Sequence, residues 1–187
     1  PDGKYVAYSL LKTNQDGSIN YQLVAKDIAN AKVVKLLADK SRILRNASFS
    51  NDGKYLSCYS AGKKNDATVR LIVAQVTYLG YTISAVEPKW KDKEIKRFED
   101  VKSRLRGPYW TNSGSLLFLN EKNGDKHTIY ELTAQTLASE STPAIGKYVV
   151  VGEGKEDFNV RDFDLPKTAK TNDGVAFSAQ YGKEFGI

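Results

Sequence analysis

The sequence contains no methionine, one cysteine and one histidine among its 187 residues. A gene product begins with methionine, so we expect this chain to be a processed or excised part of a larger polypeptide or assembly. The single Cys58 excludes an internal disulfide, and the single His127 has no second histidine with which to form a zinc site. No run of about 18 apolar residues occurs, so the sequence predicts no membrane-spanning helix.

Catalytic motifs are also missing. No Gly-x-Ser-x-Gly elbow occurs, and no serine, base and acid stand in a readable nucleophilic set. Cys58 lies in an alternating strand pattern, which favours a small buried residue over a nucleophile. His127 follows the polar turn Gly124-Asp125-Lys126, which predicts a surface or strand-edge position. The sequence therefore predicts no catalytic, metal-binding or cofactor-binding residues.

The net charge of +6 raises the question of a nucleic-acid partner. The basic residues are spread along the chain and interleaved with acidic ones, which is typical of a solvated surface. A nucleic-acid patch would concentrate lysine and arginine without acids between them. The charge pattern therefore argues against a nucleic-acid partner.

A short turn motif recurs along the chain. The phrase Asp-Gly-Lys-Tyr begins at Asp2 and again at Asp52, each time followed by alternating small and apolar residues. Two weaker copies centre on Ser113-Gly114 and Asp173-Gly174. The glycines Gly3, Gly53, Gly114 and Gly174 are 50, 61 and 60 residues apart. Because Asp-Gly or Ser-Gly between alternating runs indicates a tight hairpin, each copy predicts a turn between two strands.

Each repeat of roughly 50–60 residues holds about four strand patterns joined by turns, which is typical of a β-propeller blade. The eleven tyrosines and seven phenylalanines, set among valine, isoleucine and threonine, also favour strands. We predict an all-β fold: a β-propeller segment of about three four-stranded antiparallel blades and a partial fourth. The predicted boundaries are blade 1 at 1–42, which begins at its first hairpin, blade 2 at 43–87, a charged insertion at 88–103, blade 3 at 104–158 and the start of blade 4 at 159–187.

The repeated phrase resembles the WD40-like PD40 repeat. The resemblance is strongest at Pro1–Ser9 and Phe49–Tyr59, fair at Thr171–Ser178 and weak at Asn112–Phe118, where Ser-Gly replaces Asp-Gly-Lys. PD40 repeats form the propellers of TolB-type proteins of the bacterial periplasm and of prolyl oligopeptidase-type serine peptidases. The resemblance implies a fold; it does not by itself imply an activity.

The charged insertion carries Trp90 and Phe98 amid mixed charge. Ile95, Phe98, Val101 and Leu105 recur at helical spacing. One interpretation is a helix or loop that contacts a protein partner through Trp90 and Phe98, since aromatic residues are enriched in interface hot spots. The other is a blade connection with a solvated face, in which Trp90 packs against its own blade.

Two functions follow as expectations. The first is a non-catalytic binding or scaffolding propeller of the bacterial cell envelope, by resemblance to TolB-type proteins, with the cytoplasm as the alternative location. The second is the propeller portion of a prolyl oligopeptidase-type serine peptidase whose hydrolase domain lies outside this chain. A Gly-x-Ser-x-Gly elbow in the remainder of the gene would favour the second.

Overall fold

The computed structural model describes residues 3–39, 41–62, 69–80, 82–88, 94–95, 107–123, 126–139, 158–165 and 174–186. These residues form four separate β-sheets. The first sheet contains β1 (Tyr5–Thr13), β2 (Ile19–Asp27) and β3 (Val33–Asp39). The second contains β4 (Ile43–Phe49), β5 (Tyr55–Ala61), β6 (Val69–Leu79) and β7 (Thr82–Pro88), with the two-residue β8 (Glu94–Ile95) pairing with β6.

The third sheet contains β9 (Tyr109–Trp110), β10 (Leu116–Asn123) and β11 (Lys126–Leu132). A five-residue helix, α1 (Ala134–Ala138), follows it. The fourth sheet contains β12 (Phe158–Asp164), β13 (Ala176–Tyr181) and β14 (Glu184–Gly186). Within the described residues, no helix is long and apolar enough to cross a membrane.

Strands that follow one another along the chain are neighbours in each sheet, and the pairs from β1 to β7 and within the third and fourth sheets are antiparallel. Such meanders need only short turns, which the Asp-Gly and Ser-Gly phrases supply. The prediction of an all-β chain built from small antiparallel sheets is confirmed. The second sheet has the predicted four-stranded path; the first, third and fourth show three strands each among the described residues.

The chain divides into two compact units, Pro1–Glu94 and Ile95–Ile187. In the first unit, the core lies between the first and second sheets. Its buried side chains come from both sheets: Leu23, Ala25, Leu36, Leu44, Leu56, Cys58, Ala74, Val76 and Ile83. Ser9 Oγ donates a hydrogen bond to the Leu44 carbonyl at 2.6 Å, which fixes β1 against β4.

The second unit has its own buried side chains. Phe118 and Ile129 are fully buried in the third sheet, and Phe163 is buried in the fourth. The ring of Phe163 meets that of Tyr109 edge to face, with centroids 5.2 Å apart. Leu137 is the buried residue of α1 and anchors that helix. The fourth sheet therefore packs one face against the third.

Equivalent backbone hydrogen bonds occur in the first two copies of the repeated phrase. Ile28 N donates to the Lys4 carbonyl at 2.8 Å, and Val76 N donates to the Lys54 carbonyl at 2.8 Å. Lys4 and Lys54 hold the same place in the repeat. The pair β1–β2 is therefore the structural equivalent of β5–β6.

Two local expectations differ from the structure. His127 lies on β11, an edge strand of the described third sheet, but it is only 5% exposed. Its backbone N–H donates to Asn159 Oδ1 on β12 at 2.9 Å, so the neighbouring sheet covers it. The strand-edge alternative is confirmed and the surface alternative is wrong. Ile95, whose spacing suggested a helix, lies in strand β8.

Candidate interaction surface

The turn between β4 and β5 is the best-defined copy of the repeated motif. Gly53 N donates to the Ser50 carbonyl and Ser50 N donates to the Tyr55 carbonyl, each at 2.9 Å. Ser50 Oγ donates to Asp52 Oδ1 at 2.7 Å and accepts from Tyr55 N at 2.9 Å. Gly53 has φ of +73°, a conformation that a residue with a Cβ resists. The motif is thus a hydrogen-bonded structural turn.

The carboxylate of Asp52 completes this turn. Its partial burial raises the pKa, but hydrogen bonds from Ser50 Oγ and Lys54 N, together with the Lys54 ammonium, lower it. The net result is a pKa below the usual value of 3.8. The Lys54 Nζ lies 3.5 Å from Asp52 Oδ2, and both groups are well exposed, so this ion pair contributes little stability.

Ser113-Gly114 forms the corresponding turn between β9 and β10. Gly114 N donates to the Thr111 carbonyl at 3.1 Å, and Thr111 N donates to the Ser115 carbonyl at 2.9 Å. Thr111 Oγ1 lies 2.8 Å from Ser113 Oγ and accepts from Ser115 N at 3.0 Å. Thr111 and Ser113 thus take the places of Ser50 and Asp52. The bonds close over four residues instead of five because Ser115 follows Gly114 directly, whereas Lys54 stands between Gly53 and Tyr55.

The remaining predicted turn residues are described only in part. Gly3 precedes β1 with φ of +73°, as at Gly53. Gly174 lies two residues before β13 and is not among the glycines with positive φ. Asp2 and Asp173 lie outside the described residues. Trp90 and Phe98 also lie outside them, so their predicted contact with a partner stays a prediction.

Cys58 is fully buried between the first and second sheets. Burial raises the pKa of its thiol to about 12, since the thiolate would lose its hydration there. The thiol is therefore protonated at neutral pH and is a poor nucleophile. The prediction that Cys58 is a buried structural residue is confirmed.

Within the first unit, one face of the first sheet has no other sheet packed on it, although Val24 in its central strand is only 2% exposed. The opposite face packs on the second sheet through residues such as Tyr5 and Ala7. The uncovered face, which we name the open face of the first sheet, is defined by cross-strand rows. These rows are Val6–Lys26–Val33, Tyr8–Val24–Lys35 and Leu10–Gln22–Ala38. Val6 is 52% exposed, Tyr8 37% and Leu10 40%.

The second sheet shows what the same face looks like when it is covered. Fifty residues after Val6, Tyr8 and Leu10 stand Leu56, Cys58 and Ser60 on the equivalent strand β5. Their exposures are 0%, 0% and 1%, because the first sheet packs against that side of the second. The open face of the first sheet is therefore an apolar sheet surface of a kind that is buried one repeat later.

Sequence reasoning did not identify this surface. Val6, Tyr8 and Leu10 belong to the phrase that predicted a strand, and the alternation placed them on one face. Which face is covered depends on the neighbouring sheet, which a local pattern does not contain. The internal repeat adds one signal, because large apolar residues stand here at positions whose equivalents on β5 are buried.

Comparison with known proteins gives the fold. No family model matches the chain, and no curated protein matches it in sequence. Among solved structures, the chain is similar to the β-propeller domain of the Trilobed protease from Pyrococcus furiosus, a propeller with an open velcro topology. The match has a TM-score of 0.50 and 14% identity, and covers 100% of this chain and 54% of that one.

This likeness shows the fold alone. Together with the antiparallel sheets, it makes the chain a β-propeller segment. The chain spans about half the length of the solved propeller chain that it matches.

Proposed function

We propose that the chain is a binding or scaffolding propeller and that the open face of the first sheet is a docking surface. The observation that carries the proposal is the exposure of Val6, Tyr8 and Leu10 on one continuous sheet face. Contiguous apolar surface of this kind marks interaction sites on folded proteins. A rigid antiparallel sheet presents these side chains without ordering cost, which favours binding.

The chemistry of the described residues supports a role in binding. The thiol of Cys58 is buried and protonated, and His127 is enclosed between the third and fourth sheets. Neither group faces solvent where a substrate could reach it. We propose a TolB-like protein of the bacterial cell envelope, which rests on the resemblance of the Asp-Gly-Lys-Tyr turns to PD40 repeats. Osmotic-shock fractionation of the producing cell tests this location. We expect the protein to be recovered in the periplasmic fraction.

Photo-crosslinking tests the docking function. A photoreactive phenylalanine analogue replaces Tyr8 on the open face in cells that make the protein, and a control replaces Ser18, which is exposed in the β1–β2 turn. We expect irradiation to yield a discrete higher-mass adduct from position 8 and none from position 18. Equal adducts from both positions, or none from position 8, would contradict the docking function.

A second candidate is the propeller portion of a serine peptidase. The observation that favours it is that the matched solved propeller is a domain of a protease. In that case the propeller would restrict access to a hydrolase domain encoded elsewhere in the gene. A fluorophosphonate probe applied to the full-length polypeptide decides: labelling at a serine outside this chain supports the peptidase, and no labelling supports the binding propeller.

A further inference from the structure

We draw no further inference here: the strongest candidate, the apolar open face of the first sheet, belongs to the docking surface already proposed, and nothing in the structure shows which molecule covers it.

Discussion

Positions 8 and 58 hold the same place in the repeat, on β1 of the first sheet and β5 of the second, yet Tyr8 is exposed and Cys58 is fully buried. Both strands pair with their neighbours in equivalent ways, and both follow a glycine with φ of +73°. The difference is the sheet packed in front of each one. Burial in this fold is therefore set by the neighbouring sheet, while local structure is set by the repeat.

The largest expected effect on stability comes from comparing a leucine-to-alanine substitution in the second sheet with one in the first. Leu56→Ala removes a fully buried side chain from the core between the sheets and should cost about 2–5 kcal/mol of unfolding free energy. Leu10→Ala changes an exposed side chain of the same type and should cost less than about 1 kcal/mol. Urea unfolding at low protein concentration measures both. Equal losses would show that the two faces are buried alike.

The repeated glycine turns give the next largest effect. Gly53→Ala forces a Cβ into a conformation with φ of +73° and places that Cβ 3.1 Å from Tyr78 Oη. The backbone strain alone should cost about 1–2 kcal/mol, and the contact adds to it. Gly3→Ala meets the same φ in open space and should cost only the strain. Thermal melts of the two variants compare these losses of stability. If Gly3→Ala costs as much as Gly53→Ala, the contact with Tyr78 does not contribute to the cost at Gly53.

Substitution of Tyr78 should cause a smaller loss of stability. Its hydroxyl donates to the Gly53 carbonyl at 3.0 Å, a contact across the second sheet from β6 to the β4–β5 turn. Tyr78→Phe keeps the ring and removes the donor, so the cost should be about 0.5–1.5 kcal/mol. Combining it with Gly53→Ala should give less than the sum of the two single losses, because both act on one contact. Strict additivity in chemical unfolding would contradict the contact.

The smallest predicted effect is a pH dependence of the second-sheet turn. The pKa of Asp52 is lower in the folded chain than its usual 3.8, so its contribution to stability is present above about pH 4. That contribution is lost as pH falls through the lower folded value. Asp52→Asn should flatten this part of the stability curve by less than about 1 kcal/mol, since the carboxylate is half exposed. An unchanged curve from pH 5 to pH 3 would show that the turn does not depend on the charge.

Local features of the fold were predictable from the sequence. Alternation and Asp-Gly phrases predicted the strands from β1 to β7, because period-two burial and positive φ are local requirements. The short helix α1 was not predicted; five residues held by the Thr133 cap and one buried leucine give too weak a pattern. The surface prediction for His127 failed because a polar turn before a strand does not reveal that Asn159, 32 residues later, will lie over it.

The exposure of the candidate surface could likewise not be predicted from the local sequence. Val6 and Leu56 occur in nearly identical phrases, and nothing within either phrase says that one is exposed and the other buried. Burial of a sheet face is a tertiary property, set by whichever sheet packs on it. The repeat predicts which residues share a face, and the structure adds which face lacks a neighbour.

The most direct test compares thiols at the two equivalent positions. Cys58 supplies one, and Tyr8→Cys in a Cys58→Ala background supplies the other. In dilute solution, a thiol reagent should modify position 8 at the rate of an exposed cysteine. Cys58 should react slower by on the order of 100-fold or more, because labelling requires local or global opening. Equal reaction rates at positions 8 and 58, whether both fast or both slow, would contradict the claim that equivalent repeat positions differ only in the sheet that covers them.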